Sequence, residues 1–332
     1  MGFEENEISV NSNGGTELTK RLLGQRLPAE LLDNFQIICS RVRELQEDKI
    51  RVLFLHDLPE DPESAKLKDE NYRNKFHQFV FVSEWQYQQY RNYLGLPYDL
   101  KSIVLENCIE PIETHTKPKD KINLAYFSTP HRGLNILIPV FTELAKEYPE
   151  IHLNVFSSFD IYGWKDADKQ FEPIFEACRN HPQITYHGAV PHAEMIEQLK
   201  QQHILAYPST WPETGCRVLM ESMSARLMCV HPNFAALPCT SGGLTNMYVG
   251  SANQNEHANQ FYAALKGAIE DIKKDAEGLD GHLDLVKFYA DNRFASQRIA
   301  MGWMNLLTAL SAKYPTVESR QTPSEQFIYK TR

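Results

Sequence analysis

Short runs of apolar, β-branched and aromatic residues alternate along the chain with longer segments whose apolar positions recur every three or four residues. The first pattern fits strands buried on both faces and the second fits helices that cover them. Together they predict a parallel α/β architecture. Strands are expected at Phe35–Ser40, Arg51–Asp57, Gln78–Ser83 and Ser102–Asn107, with helices at Glu17–Leu23, Asp69–Phe76 and Glu84–Leu94. Near residues 108–121 the pattern lapses into a polar stretch twice interrupted by proline, which reads as a linker.

A second alternating series follows. Its strands are expected at Asn123–Ser128, His152–Ser158, Ile184–Ala189, Ile204–Ser209, Met228–Pro232 and Asn246–Gly250. Helices fit Leu134–Tyr148, Asp166–Asn180, Glu194–Gln202 and Cys216–Arg226, and three more fit Glu256–Ala276, Leu283–Asn292 and Ser296–Tyr314. The expected organisation is an N-terminal domain over 1–116, a second domain over 117–295, a helix over 296–314 and a polar, frayed tail over 315–332. Ligands of open parallel sheets sit beyond the carboxyl ends of the strands, so candidate chemistry is sought there.

The 332 residues suit two domains, and 42% hydrophobic content is enough for ordinary cores. A net charge of -9 argues against a protein that coats nucleic-acid phosphates. The first residues are acidic and lack the apolar core of a secretory signal. The uncharged stretch Leu227–Asn255 contains Pro232, Pro238, Gly242 and Gly243, so it reads as buried strand and loops rather than a membrane span. The six cysteines show no zinc-like spacing and are expected to be reduced. The expectation is a cytoplasmic protein, at most peripheral to a membrane. Asp166-Ala-Asp168 could be mistaken for a metal motif, but acidic residues at a helix start are favourable on their own. No metal or other cofactor is expected.

The most informative segment runs from Ser209 to Glu221. It follows a predicted strand, contains Glu213 in a loop, and opens a helix near Gly215. Free backbone N–H groups at a helix start, with the helix dipole behind them, can hold a diphosphate. Glu221 lies nearly two turns inside that helix, about 9 Å along its axis from Gly215. One carboxylate is placed to accept both hydroxyls of a ribose, and the other to bind hydroxyls of a group attached beyond the phosphates. Two acidic residues at this separation occur often by chance, so spacing alone favours a capped amphipathic helix with Leu219 and Met223 facing the core; the strand–Pro–Glu–x–Gly–helix context is what favours the ligand reading.

Pro212-Glu213-Thr214-Gly215 through Glu221 resembles the Glu-x7-Glu signature of retaining GT-B glycosyltransferases of family 4. Other segments resemble that family in the same order. They are Asn13-Gly14-Gly15, Val80–Glu84, Val104–Glu110, Thr129-Pro130-His131-Arg132-Gly133 and Ile184–Pro191. The resemblance implies two facing Rossmann-like domains, with the N-terminal one reduced because only Glu7–Val10 is available for its usual first strand. It implies that the last long helix crosses back to the first domain. It also implies transfer of a hexosyl unit from a nucleoside-diphosphate sugar to a glycan, lipid or small-molecule acceptor, with the anomeric configuration retained.

In the implied site, Glu213 orients the sugar and Arg132 grips the diphosphate where the family usually has lysine. His56, at the end of an N-domain strand, is the family's sugar-side histidine. Donor binding falls to Glu221, Thr214, Gly215, Cys216, Gly14 and Gly15. The family's Gly and Pro after Ala225 are absent, which alters a turn. A non-catalytic nucleotide-sugar-binding protein on the same scaffold, or a GT-B epimerase or phosphorylase, are the alternatives.

Overall fold

The computed structural model describes Phe3, Ser12 and residues 14–321. The expected strand Glu7–Val10, Asn13 and the tail beyond residue 321 lie outside the described residues. In chain order the first elements are α1 (Gly15–Arg26), α2 (Ala29–Leu32), β1 (Phe35–Cys39), β2 (Ile50–Leu55), α3 (Glu70–Arg73), β3 (Gln78–Phe81), α4 (Glu84–Leu94) and β4 (Ser102–Val104). They are followed by β5 (Ile122–Phe127), α5 (Leu134–Glu147), β6 (Ile151–Phe156), α6 (Glu172–Asn180), β7 (Ile184–Tyr186) and α7 (His192–Leu199). Next come β8 (Ile204–Ala206), α8 (Arg217–Ser224), β9 (Met228–Pro232), α9 (Leu237–Ser241) and β10 (Asn246–Tyr248). Helices α10 (Gln254–Lys273), α11 (Leu279–Phe294), α12 (Ser296–Lys313) and α13 (Val317–Gln321) complete the described chain.

Among the described residues, 18–107 and 296–321 form one compact unit, while 14–17 and 108–295 form another. The first unit holds a four-stranded parallel sheet in the order β1-β2-β3-β4. Its strands are mostly buried because helices cover them. All six residues of β2 are inaccessible, including Arg51, whose guanidinium donates to the carbonyls of Lys75, Gln46 and Arg320. Helix α4 begins where the Ser83 hydroxyl accepts from Gln86 N, and it stops at Gly95 with φ +67°. Helix α12 contributes a fully buried Trp303, which packs edge-on against Phe54 at 4.9 Å.

The second unit holds a six-stranded parallel sheet in the order β10-β9-β8-β5-β6-β7. The chain moves outward from β5 to β7, returns to lay β8 on the other side of β5, and then builds outward again. Strands β5 and β8 therefore flank the point where strand order reverses, the usual position of a ligand crevice in such sheets. Residues 108–121, read from sequence as a linker, are anchored to this unit. Ile112 is buried with its N–H on Ser224 Oγ, and Lys117 donates to the carbonyls of Gln202, Ala225 and Arg226. The mixed α/β class with parallel sheets in two domains is as the sequence predicts.

Helical boundaries needed correction in three places. The stretch expected as one helix over Asp166–Asn180 is a 3₁₀ segment, Lys165–Phe171, followed by α6, because Pro173 suits the first turn of a new helix better than the interior of a long one. The Asp69–Phe76 helix shrinks to α3, with the Asp69 carboxylate accepting from Asn71 N as its cap. Helix α8 begins at Arg217 rather than near Gly215, with Cys216 as its N-cap residue. No helix among the described residues is long and apolar enough to cross a membrane.

Candidate functional site

The loops leaving β5 and β8 meet at the switch point. After β5 the chain makes a single 3₁₀ turn, Pro130–Arg132, and passes through Gly133 with φ +113° before α5 begins. A Cβ built on Gly133 would lie 2.2 Å from the Pro208 carbonyl oxygen in the loop after β8. Glycine is thus required twice over, by the left-handed backbone and by the close approach of two main chains. This contact brings Arg132 of one loop beside Glu213 of the other.

Arg132 Nη1 donates to both carboxylate oxygens of Glu213, at 2.8 Å to Oε1 and 3.1 Å to Oε2. The hydroxyl of Tyr207, the first residue beyond β8, donates to the same Oε1 at 2.6 Å. Glu213 is 6% exposed, and its own carbonyl accepts from Ala236 N in the loop after β9. Burial lowers the Arg132 pKa, but Glu213 and then Tyr207 outweigh it and raise the guanidinium well above its ordinary value. Burial, reinforced by Glu213, pushes the Tyr207 hydroxyl well upward, so it serves as a donor. Arg132 Nε is buried and makes no hydrogen bond among the described residues.

Aromatic residues frame this pair. His131 stacks on Phe159, from the loop after β6, at 5.2 Å and lies edge-on to Trp211 at 5.0 Å. Burial, then the neighbouring Arg132 charge, lowers the His131 pKa to about 4, so the imidazole is neutral near pH 7. Trp211 is 40% exposed, and the Arg132 guanidinium lies 6.0 Å from its ring centre.

Glu221 forms a second cluster inside α8. Arg217, one turn earlier, donates to Glu221 Oε1 at 2.6 Å, and His192 Nε2 at the start of α7 lies 2.9 Å from the same atom. Burial raises the Glu221 pKa, but the Arg217 charge and then His192 outweigh it and leave the carboxyl lowered. The side chain is 3% exposed and is an ionised, tethered acceptor near neutral pH. Arg217 also donates to the Cys108 carbonyl, tying α8 to the segment that leads into β5.

The nine residues singled out from the sequence separate into groups. Arg132 and Glu213, expected on the diphosphate and the sugar respectively, are bonded to each other. Thr214, Gly215 and Cys216 connect Glu213 to α8, and Cys216 is buried with its thiol pushed well up, chiefly by burial and then by Glu213. Gly14 and Gly15 lie in the same unit as this site. A Cβ on Gly15 would fall 3.5 Å from Arg217 Cδ, and one on Gly14 would meet the Tyr162 ring at 2.5 Å. His56 follows β2 in the first unit, where burial lowers its pKa to about 3 and leaves the ring neutral.

Sequence reasoning missed Arg217, Tyr207 and His192. The first is four residues before Glu221, a spacing that brings side chains together on a helix. Tyr207 is six residues before Glu213 in the same loop, so their contact depends on how that loop folds back, whereas His192 reaches Glu221 from 29 positions away and depends on the order of the elements. The Asp166/Asp168 pair has a structural use, since Asp168 accepts from Ser158 Oγ and Phe159 N. Among the described residues no group of three or more His, Cys, Asp or Glu is placed to hold a metal ion.

Residues 112–272 match the family model of group 1 glycosyl transferases. No curated protein matches the chain significantly. Among solved structures, a glycosyltransferase from Rickettsia africae is similar with a TM-score of 0.65 and 12% identity, over 91% of this chain and 84% of that one. Anabaena HepE, solved with UDP and glucose, is similar with a TM-score of 0.61 and 16% identity, over 88% and 82%. The pneumococcal O-GlcNAc transferase GtfA, solved with UDP and GlcNAc, gives a TM-score of 0.62 and 12% identity, over 88% of this chain and 59% of that one. These identities speak for the fold alone. The domain match over 112–272 and the shared arrangement of two parallel sheets in two domains together support a GT-B glycosyltransferase.

Proposed function

We propose that this protein transfers a hexosyl unit from a nucleoside-diphosphate sugar to a hydroxyl-bearing acceptor, with the anomeric configuration retained. The observation that carries this reading is the Arg132–Glu213–Tyr207 cluster at the switch point of a sheet whose sequence matches group 1 glycosyl transferases. The site supplies groups suited to each part of such a donor. Glu221, ionised and fixed by Arg217 and His192, accepts the ribose hydroxyls. The N–H groups at the start of α8, with Cys216, Thr214 and Gly215 leading into it, receive the diphosphate. Glu213 accepts hydroxyls of the sugar, and Gly14 and Gly15, whose missing side chains let Tyr162 and Arg217 pack close, shape the same unit's edge of the site.

As the bond from the sugar C1 to the leaving phosphate oxygen breaks, its electron pair stays on the diphosphate. The acceptor oxygen bonds to C1 from the same face, and its proton passes to the departing phosphate. Arg132 turns its Nη1 to Glu213 and keeps Nε for a phosphate oxygen. One cation thus orients the sugar-binding carboxylate and stabilises developing charge on the leaving group. Charge on the diphosphate is met by Arg132 and backbone amides, so the reaction is proposed to proceed without a divalent metal.

Two fold relatives were solved with UDP, so uracil is the first base to try. The test is nucleotide release from UDP-, GDP- and ADP-sugars, with and without saccharide and lipid acceptors. One donor is expected to release its nucleotide, at a rate reduced at least a hundredfold in Glu213→Gln and Arg132→Ala. Binding of that nucleotide without any release would instead favour a non-catalytic nucleotide-sugar-binding protein.

A further inference from the structure

Glu213 is held asymmetrically. Oε1 receives two short hydrogen bonds, from Tyr207 at 2.6 Å and Arg132 at 2.8 Å, whereas Oε2 receives one longer bond at 3.1 Å. Tyr207 is fully buried just beyond a strand, with its ring 5.9 Å from that of Tyr126, and its hydroxyl lies 2.6 Å from Glu213 Oε1 but 3.4 Å from Ser128 Oγ, so the carboxylate is its closer partner. The Tyr126 hydroxyl is engaged elsewhere, donating to the Thr129 carbonyl at 2.8 Å. Arg132 alone leaves the carboxylate a choice, because its single Nη1 reaches both oxygens. Tyr207 removes that choice by marking one oxygen.

We propose that Tyr207 is a positioning residue for sugar recognition. By saturating Oε1 it fixes the plane of the Glu213 carboxylate and leaves Oε2 as the atom that accepts a hydroxyl of the donor sugar. This inference rests on the proposed reading of Glu213 as the sugar-side carboxylate. The recognised group is a ring hydroxyl whose stereochemistry directs it at Oε2, so the consequence is discrimination between donor sugars that differ at one hydroxyl. A protein site that hydrogen-bonds a substrate hydroxyl rejects the analogue lacking it in that position, provided the accepting atom is held still.

The experiment compares wild type with Tyr207→Phe, using UDP-glucose, UDP-galactose and UDP, or the same pair on whichever base wild type prefers. The ratio of kcat/KM for the two epimeric donors and the affinity for the free nucleotide are both measured. Tyr207→Phe is expected to reduce kcat/KM for the preferred sugar about tenfold or more, to collapse the epimer ratio toward one, and to leave the nucleotide Kd unchanged. An unchanged Kd also shows that the variant is folded. Tyr126→Phe, which removes a neighbouring buried hydroxyl not bonded to Glu213, is expected to keep the epimer ratio. A Tyr207→Phe protein that binds nucleotide normally and keeps the wild-type ratio overturns the inference. So does an equal collapse in Tyr126→Phe. If wild type releases no nucleotide from any donor, the failure lies in the reaction assignment instead.

Discussion

Gly133→Ala tests whether two backbone loops must touch for the site to exist. Alanine in the left-handed region costs about 1–2 kcal/mol on conformational grounds. Its Cβ would also sit 2.2 Å from the Pro208 carbonyl oxygen, about 1 Å inside ordinary contact, and neither partner is a flexible side chain. Separating the loops adds about 1–3 kcal/mol of overpacking strain. The expected total is about 2–5 kcal/mol, a large fraction of a typical domain's stability. Gly163→Ala supplies the comparison, since Gly163 has φ +75° but no atom within 4 Å of a new Cβ, so only the conformational part applies. Urea unfolding followed by circular dichroism measures both variants. Gly133→Ala should unfold at clearly lower urea than Gly163→Ala. It should also lose donor turnover by about a hundredfold, because a shift near 1 Å displaces Arg132 from Glu213. Equal stability for the two variants, with full turnover in Gly133→Ala, would show that the site does not need the two main chains in contact.

Arg217→Met leaves the Glu221 carboxylate buried without its strongest partner and should cost about 3–5 kcal/mol at pH 7, read from urea unfolding. Because the folded pKa of Glu221 is lowered in wild type, its stabilising contribution is present above the ordinary carboxylate range and disappears as pH falls below it. The gap between wild type and Arg217→Met should therefore narrow toward pH 4, and a gap independent of pH would contradict the assignment. His56 carries the corresponding acid penalty in the first unit. With a folded pKa near 3 against 6.5 unfolded, the unfolded chain binds the proton first, so stability falls as pH drops from 6.5 toward 3, by about 2 kcal/mol at pH 5. His56→Asn should flatten the stability curve between pH 7 and 5 by about 1–2 kcal/mol, and an unchanged slope would show that its ring is not kept neutral by burial.

The strands were legible because parallel strands covered on both faces need nearly continuous apolar runs, and Val52–Leu55 and Ile204–Ala206 are such runs, too short for a helix and set between helical patterns. The long helices were legible from their periodicity. Short elements such as α2, α9 and α13 were not, because four or five residues cannot display a helical period. The turn after α8 was recognised as altered, but not how. Arg226 adopts φ +62° without being glycine, and its guanidinium is tied to Asp280 and Asp284, some 54 and 58 residues further along.

The candidate site divides along the same line. Glu213 and Glu221 could be found because they lie on one loop and the helix that follows it. That Arg132 would bond to Glu213 rather than stand apart could not be found. Their contact depends on β5 and β8 lying side by side, which only strand order decides. His192 meets Glu221 for the same reason, across 29 positions.

In the proposed function the second unit holds a nucleoside diphosphate with Glu221 on its ribose. Thermal melting of wild type and Glu221→Ala with UDP, GDP and ADP tests it most directly, because a ligand at a hundred times its Kd stabilises the folded state by about 2.7 kcal/mol. One of the three should raise the melting temperature of wild type by several degrees and leave that of Glu221→Ala nearly unmoved. No shift of wild type with any of them, or an equal shift in both proteins, would contradict it.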